Sequence, residues 1–488
     1  MKHFKINIAL ILHIISIVIT FESLFMLFAL IVSFIYKESV FPNLSHTFLI
    51  TFIFGVVLNL LTKKQRQVEP SLRESFIIVT LAWVVMALVG TLPYLLTGSI
   101  PTFTNAFFES ISGFTTTGSS ILADIEALPK SVLFWRAETH WIGGMGIIVL
   151  VVAIMPFLKI NGIYLFYSEV SSVATEKVST RIRKVARRLW LIYMGLTFAE
   201  TIILWIGGMS LFDAICHSFA TIATGGFSTK NDSLASFSPF LQYTVTFFML
   251  LSGINFVVHV FWLRGDFKTA FKNEELRLYL KIILVAGTII TLSLFFHHQD
   301  MGFEPAFRHA FFQVISIITA TGFATADYLQ WPLQSIGIIA ILMLIGASSG
   351  STGGGVKVIR HLVVFRHIRT LYKEYFASNT VVRVVHYNKN VVRPELINRV
   401  FTFVLFYYLI LIIGTMIMML WTNDMKTSFG AVATSMAGIG PGFGTVGPVS
   451  NFLHLPAGAK YFLTALMVIG RLEIYSVLVL FTPSFWLD

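Results

Sequence analysis

Four times along the chain an apolar stretch too short to cross a bilayer runs straight into a glycine set among Thr, Ala and further Gly. Each time a small residue stands twelve positions before that glycine: Ala106 before Gly118 in SGFTTTGS, Ala214 before Gly226 in ATGGFS, Ala310 before Gly322 in TATGFA, and Gly430 before Gly442 in GIGPGFG. Polar, glycine-rich backbone cannot face lipid, because its N–H and C=O groups would go unpaired. The four segments are therefore expected to converge on one shared aqueous path, a pore.

The rest of the composition places that path in a membrane. Hydrophobic residues make up 56% and charged residues 12%, with 47 phenylalanines in 488 residues, a balance that a soluble domain would not keep on its surface. The net charge of +11 does not indicate nucleic acid, because the basic residues cluster in loops between apolar spans. A single cysteine, Cys216, excludes an intrachain disulfide framework and a cysteine-based zinc site. Lys2, His3 and Lys5 precede an apolar run that continues to Ile35 without a small-x-small cleavage site, which reads as a retained first transmembrane helix.

Stretches long enough for a bilayer fall at 7–35, 46–62, 76–97, 134–158, 188–208, 239–263, 279–297, 333–356, 398–422 and 458–482. Four shorter ones, 103–117, 210–225, 305–321 and 427–441, read as re-entrant pore helices. Lysine and arginine concentrate at 63–73, 177–188, 264–281 and 357–399, whereas the opposite side holds only Lys37, Lys130, Lys230, Arg308, Lys426 and Lys460, with Arg136 near a span end. Both termini and the basic loops are then cytoplasmic, and the glycine loops open outward.

The fold class expected is an all-α membrane protein of four pseudo-symmetric repeats, each helix, pore helix, loop and helix, around a central pore. An N-terminal hairpin, 1–70, lies outside repeats at 71–175, 176–265, 266–375 and 376–488. Aligned on the glycine, the next residue is Ser119, Phe227, Phe323 or Phe443, and the residue three beyond is Ile121, Thr229, Thr325 or Thr445.

A cation leaving water needs replacement oxygens, and a ring of backbone carbonyls supplies them without a fixed charge that would hold the ion too tightly. The filter is assigned to Thr115, Thr116, Thr117 and Gly118; Ala223, Thr224, Gly225 and Gly226; Thr319, Ala320, Thr321 and Gly322; and Ile439, Gly440, Pro441 and Gly442. The negative C-terminal ends of the pore helices would point at the ion. Asp124, Asp232 and Asp327 follow three of the loops and either concentrate cations at the mouth or are solvated loop charge.

Two features concern gating. The eighth span is interrupted by Gly346, Ala347, Ser348, Ser349, Gly350, Ser351, Thr352, Gly353, Gly354 and Gly355, too glycine-rich for stable helix at ~1 kcal/mol per glycine. Arg471 lies within the last span, where burying it costs ~2.5–3.5 kcal/mol. It is expected either to face the pore as a positive barrier below the filter, the reading preferred here, or to pair with an acid. Glu473, two residues on, is on another face and is expected to bond a neighbouring helix. His13, Glu22, Glu138, His140, Glu200, Asn255 and His259 are open to two readings, a proton relay or helix-to-helix hydrogen bonding. No HExxH, Walker or dinucleotide motif in the right context is present, so no catalytic residue is assigned and the chain is not expected to be an enzyme.

On SGFTTTGS (112–119), ATIATGGFST (220–229), TATGFAT (319–325), AGIGPGFGTVGP (437–448), SSGSTGGGVK (348–357) and GRLE (470–473), the chain resembles the Trk/Ktr/HKT cation transporter superfamily, and within it the TrkH-type membrane subunits of potassium uptake systems. The likeness covers essentially the whole chain, including the N-terminal hairpin that Ktr-type subunits lack. It implies potassium as the ion bound and carried, no organic cofactor, a homodimer in the bacterial inner membrane, and a cytosolic TrkA-type regulator with RCK nucleotide-binding domains. It also implies that the filter glycines go with potassium selectivity, that 346–355 is the gating loop and that Arg471 is the pore arginine. The basic segment 357–399, with Tyr372, Tyr375 and Tyr387, would be either the regulator's docking surface or a face beside anionic lipid. Passive, gated potassium uptake is the first reading; symport with protons or sodium, which needs titratable residues along the path, is the alternative.

Overall fold

The computed structural model describes residues 6–66, 68, 70–158, 178–297, 301–376 and 384–487. The N-terminal lysines, the 159–177 connection with Lys177, and 377–383 within the basic segment lie outside them. Apolar, uncharged runs become α1 (Ile8–Ile35), α2 (Phe41–Leu61) and α3 (Leu72–Gly90, continued by Leu92–Leu96). A capping box at Ser71 and Glu74 fixes the start of α3, and the Glu74 carboxylate also accepts from the Asn7 backbone, which ties the start of α1 beside it. The hairpin α1–α2 packs through α1 onto α3 and onto α5 (Lys130–Leu158).

The pore helices are α4 (Phe103–Phe114), α7 (Leu211–Ile222), α11 (Phe303–Ile318) and α15 (Met425–Ala437). Their outer flanking helices are α3, α6 (Val178–Ile206), α10 (Glu274–His297) and α14 (Pro394–Thr422), and α3, α10 and α14 are continuous spans, as is Val185–Ile206 within α6. All four expected repeats are thus present in the same order, packed as two large apolar cores, one joining the first and fourth repeats and one joining the second and third.

Three of the helices that follow the filter break: the eighth at the glycine-rich run, as the sequence predicts, and the sixth and tenth against the straight crossings expected of them. The sixth span divides into α8 (Pro239–Ser252) and α9 (Phe256–Leu263), bent by 101°. The eighth ends as helix α12 at Leu333–Met343, and helix resumes only at α13 (Val358–Tyr375). The tenth, α16 (Ala457–Arg471), bends by 110° into 475–481. The causes are local: Asn255 caps α9 through its side chain, ten residues of Gly, Ser, Thr and Ala interrupt the eighth span, and Glu473 takes a left-handed φ of 56°. Three of the four inner helices therefore break just past the pore-helix ends. On the basic side, Asn388 and Lys389, both at positive φ, turn a two-residue hairpin, β1 (His386–Tyr387) against β2 (Asn390–Val391).

Candidate functional site: a ring of backbone carbonyls

Each pore helix ends in the same way. The residue after the helix C-cap is left-handed in the first three loops, at Thr116 (φ 52°), Thr224 (φ 54°) and Ala320 (φ 58°), and in the fourth the left-handed residue is the C-cap itself, Gly438 (φ 69°). The next N–H reaches back over the helix end: Thr117 to the Ser112 carbonyl (2.8 Å), Gly225 to Ala220 (2.7 Å), Thr321 to Ser316 (2.9 Å) and Ile439 to Thr434 (3.0 Å). This C-terminal cap uses the loop's N–H groups inward, toward the helix, and leaves its carbonyl oxygens to face the axis. A left-handed non-glycine residue costs ~1–2 kcal/mol, and the first three loops each carry one.

A second left-handed residue follows two positions later, at Gly118, Gly226, Gly322 and Gly440. These glycines close a ring. A Cβ on Gly118 would strike the Gly225 carbonyl, one on Gly226 the Thr321 carbonyl, and one on Gly322 the Ile439 carbonyl, each inside the 3.0 Å that real Cβ contacts essentially never breach. One on Gly440 would sit 3.0 Å from the Thr117 oxygen and 3.1 Å from that of Gly118. The loops meet in chain order, first to second to third to fourth and back to first.

The fourth loop thereby corrects the register read from the sequence. The residue equivalent to Gly118, Gly226 and Gly322 is Gly440, not Gly442, and the segment equivalent to 115–118 is 437–440. Ala437 and Gly438 join the ring with Ile439 and Gly440, Pro441 lines the outer vestibule, and Gly442 packs on Gly430 while its carbonyl accepts from the Tyr328 hydroxyl at 2.6 Å. The exit segments do align as read: Asp213 and Thr229 (2.6 Å), His309 and Thr325 (2.9 Å), and Thr427 and Thr445 (3.3 Å) are the same contact in successive repeats. The fourth loop thus carries two extra residues between filter and exit. Matching glycine–phenylalanine pairs hid that insertion, which shows only in the folded backbone, where a left-handed residue stands two positions before each ring glycine.

The rings differ in their side chains. Thr115 and Thr117 share a hydroxyl hydrogen bond of 2.8 Å, and so do Thr319 and Thr321 in the opposite loop. In the second loop Gly225 has no room for a side chain, because the ring of His140, stacked on Phe227 at 4.0 Å, fills the space behind it.

Outside the ring, a cavity of about 130 Å³ is bordered by all four ring glycines, Ser119 and Arg136. Arg136 proves to be part of the site. It is buried, pairs with Glu109 at 2.6 Å, donates to the Ser228 carbonyl at 2.9 Å, and stands 3.5 Å over the Phe227 ring. Glu109 also accepts from the Ile121 N–H at 2.9 Å, so one ion pair fixes the exits of the first two loops. The mouth aspartates serve the loops themselves: Asp124 accepts from Asn231 (2.9 Å), Asp232 from Ser236 (3.2 Å), and Asp327 from the Leu329 N–H (3.0 Å). Nearby, a hydrogen bond from Lys230 and then one from the Asn231 N–H hold the Glu126 carboxyl below its ordinary value.

Beneath the ring, 346–355 is folded against the pore-helix ends. A Cβ on Gly353 would meet the Thr319 carbonyl at 2.6 Å, and one on Gly354 would strike that of Ala437. Thr352 donates to the Ile222 carbonyl at 3.0 Å. The loop is held on its other side by the break in the sixth span: Ser348 N–H donates to Gly253 (3.1 Å), and Phe256 N–H to Gly350 (3.0 Å). Gly346 pairs with Val356 (2.8 Å), Ser351 bonds Ser348 (2.6 Å), Gly350 and Gly355 are left-handed, and Lys357 Nζ donates to Gly353. The buried Glu275 carboxylate accepts from the Ser349 N–H (2.6 Å) and hydroxyl (2.9 Å).

Arg471 is buried at 6% exposure and has no acidic partner among the described residues; Nη1 donates to the Thr352 carbonyl at 2.8 Å and Nη2 to Gly143 at 3.4 Å. It therefore joins the loop to α5. Glu473 bonds Arg360 of α13 at 2.7 Å. Of the other intramembrane polar groups, His13 bonds Thr62, His259 bonds the Leu251 carbonyl, and Asn255 caps Val257; no hydrogen bond links the seven to one another among the described residues.

The family model described as a cation transport protein, TrkH, matches residues 41–487. The Trk system potassium uptake protein TrkH of Escherichia coli (strain K12) is 38% identical over 461 residues, covering 93% of this chain and 94% of that protein. That of Vibrio parahaemolyticus serotype O3:K6 is 35% identical over 483 residues, covering 98% and 99%. The crystal structure of the potassium transporter TrkH from Vibrio parahaemolyticus matches with a TM-score of 0.89 at 33% identity, over 99% of this chain and 100% of that one.

Proposed function

Because the chain belongs to the TrkH family of cation transport proteins, we propose that it takes up potassium through a gated filter made of backbone carbonyls. The observation that carries this reading is the closed contact sequence Gly118–Gly225, Gly226–Thr321, Gly322–Ile439 and Gly440–Thr117, which sets four loops of one polypeptide around one axis. Potassium is held by the carbonyls of Thr115, Thr116, Thr117 and Gly118; Ala223, Thr224, Gly225 and Gly226; Thr319, Ala320, Thr321 and Gly322; and Ala437, Gly438, Ile439 and Gly440. A ring of uncharged oxygens replaces hydration without trapping the ion. With a negative interior, each 100 mV supplies ~2.3 kcal/mol per charge, so inward movement needs no chemical step.

The gate in this reading is 346–355 together with Arg471. The loop lies across the inner ends of the pore helices, and the arginine adds a positive charge at the same level. The repeats follow the boundaries read from the sequence, both termini are cytoplasmic, and a homodimer carries a TrkA-type regulator on the basic face of α13 and the 386–391 hairpin. Uptake is passive: the filter segments contribute Thr, Ala, Gly and Ile and no titratable side chain. Purified protein in vesicles, with a potassium gradient and a pH-sensitive dye inside, tests this. Potassium flux without proton or sodium movement, and a reversal potential favouring potassium over sodium, are expected. Obligatory co-movement of protons or sodium would refute passive uptake, and equal permeability would refute the filter.

A further inference from the structure

The 101° bend between α8 and α9 has a consequence away from the pore. It turns α9 across the basic side of the membrane region and opens a groove of about 630 Å³ between α9 and α6. That volume falls within the roughly 300–1,000 Å³ of sites that hold a small molecule. The walls are apolar, formed by Leu191, Ile192, Leu196, Leu251, Val260 and Leu263. Four polar side chains break this surface, Arg188, Arg264, Trp262 and His259, the last bonded through Nε2 to the Leu251 carbonyl at 3.0 Å. Arg188 and Arg264 stand at the rim, and neither has an acidic partner among the described residues. The Trp262 Nε1–H is buried in the wall without an acceptor. Gly195 completes the groove, and a Cβ there would meet nothing within 4 Å, so the space above it is open. It lies seven residues from Arg188 along α6, about 10 Å at ~1.5 Å per residue.

We infer that this groove binds one anionic phospholipid. An occupant must offer acyl chain to the apolar walls and negative charge to two unneutralised guanidinium groups. An anionic phospholipid of the leaflet on the basic side meets both demands: its phosphodiester lies between Arg188 and Arg264, and its chains run toward Gly195. Basic pockets between transmembrane helices on that side are where anionic headgroups bind, and guanidinium groups engage phosphate in a bidentate fork. The site also reaches the conduction path. The N–H of Phe256, the first residue of α9, is bonded to Gly350 of the loop beneath the filter, so lipid packed along α9 steadies that loop's support.

Delipidated protein in detergent, titrated with phosphatidylglycerol or phosphatidylcholine and followed by native mass spectrometry, tests the site. The parent should retain a phosphatidylglycerol adduct at least fivefold more strongly than phosphatidylcholine. Arg188→Gln with Arg264→Gln should abolish that preference, and Gly195→Leu, whose Cβ meets no neighbour and whose side chain enters the groove, should lose the adduct altogether. Unchanged binding in both variants would overturn the proposal, as would a Gly195→Leu protein that keeps its lipid and changes oligomeric state, which would make the groove a contact between copies. These outcomes do not depend on ion flux. Potassium flux in vesicles with and without phosphatidylglycerol reads the consequence for the loop, which rests on the gating role proposed above.

Discussion

Arg471 is the side chain whose removal most directly tests how the inner side of the filter is closed. Its Nη1 bond to the Thr352 carbonyl is 2.8 Å and fully buried, whereas the 3.4 Å bond to Gly143 is at the long end. A hydrogen bond from a charged donor contributes ~1.5–3 kcal/mol. If the loop carries Thr352 away from Arg471 when the path opens, Arg471→Ala removes that amount from the closed arrangement alone, shifting the closed-to-open ratio by about 10- to 150-fold. Loss of the positive charge acts in the same direction. Arg471→Lys separates the two effects: it keeps the charge but not the planar fork that spans Thr352 and Gly143, so its flux should fall between parent and alanine variant. The assay is rubidium-86 uptake into vesicles at matched protein content, with thermal melting and gel filtration to establish that each variant is folded. Alanine and lysine variants that both conduct at or below the parent rate would refute the reasoning, because neither a clamp nor a barrier would then have been removed.

The other expectations follow from named contacts. Gly322→Ala places a Cβ on the Ile439 carbonyl at a left-handed φ of 83°; the strain of ~1–2 kcal/mol must displace that oxygen, so the potassium-to-sodium permeability ratio should drop about 5- to 30-fold, and an unchanged ratio would remove Gly322 from the ring. Glu275→Gln replaces a carboxylate that accepts from Ser349 twice; backbone exchange at 346–355 should speed up by tenfold or more in hydrogen–deuterium measurements, and unaltered protection would show that the carboxylate does not hold the loop. Arg136→Ala strands the buried Glu109 charge, and breaking such a pair costs about 3–5 kcal/mol. Its melting temperature should fall clearly, and less so when Glu109→Gln is added; equal losses would argue against the pairing. The Glu126 carboxyl, held below its ordinary 4.5 by Lys230, keeps that link intact above pH 4.5 and loses it only as pH falls through the lowered value. Carbon-13 titration should therefore give a midpoint below 4.5 in the parent and a higher one in Lys230→Gln, and equal midpoints would exclude the link.

Much of the architecture was open to sequence reasoning because the bilayer enforces it. A chain with 56% hydrophobic residues cannot leave SGFTTTGS, ATGGFS, TATGFA and GIGPGFG exposed to lipid, so four short helices and one polar axis were fixed by solvent chemistry alone. The same logic marked 346–355 as broken helix and Arg471 as a buried charge needing a reason to be there. Hydropathy fails, however, where a helix bends inside the apolar layer: 239–263 is as apolar as a straight span, and only the cap at Asn255, the backbone pairing with Gly350 and the resulting 101° turn distinguish it.

The filter register belongs to tertiary structure for a related reason. GIGPGFG offers Gly438, Gly440, Gly442 and Gly444, and along the chain any of them can supply the required flexibility. What selects Gly440 is the requirement that its Cα pass the Thr117 and Gly118 oxygens across more than three hundred residues of chain, and that Gly442 instead pack on Gly430. The Arg136–Glu109 pair that sets two exit segments, and the groove that α9 opens against α6, were hidden for the same reason. Burial in a membrane is a property of composition and can be read residue by residue; which backbone stands across from which depends on contacts between segments that no local pattern records.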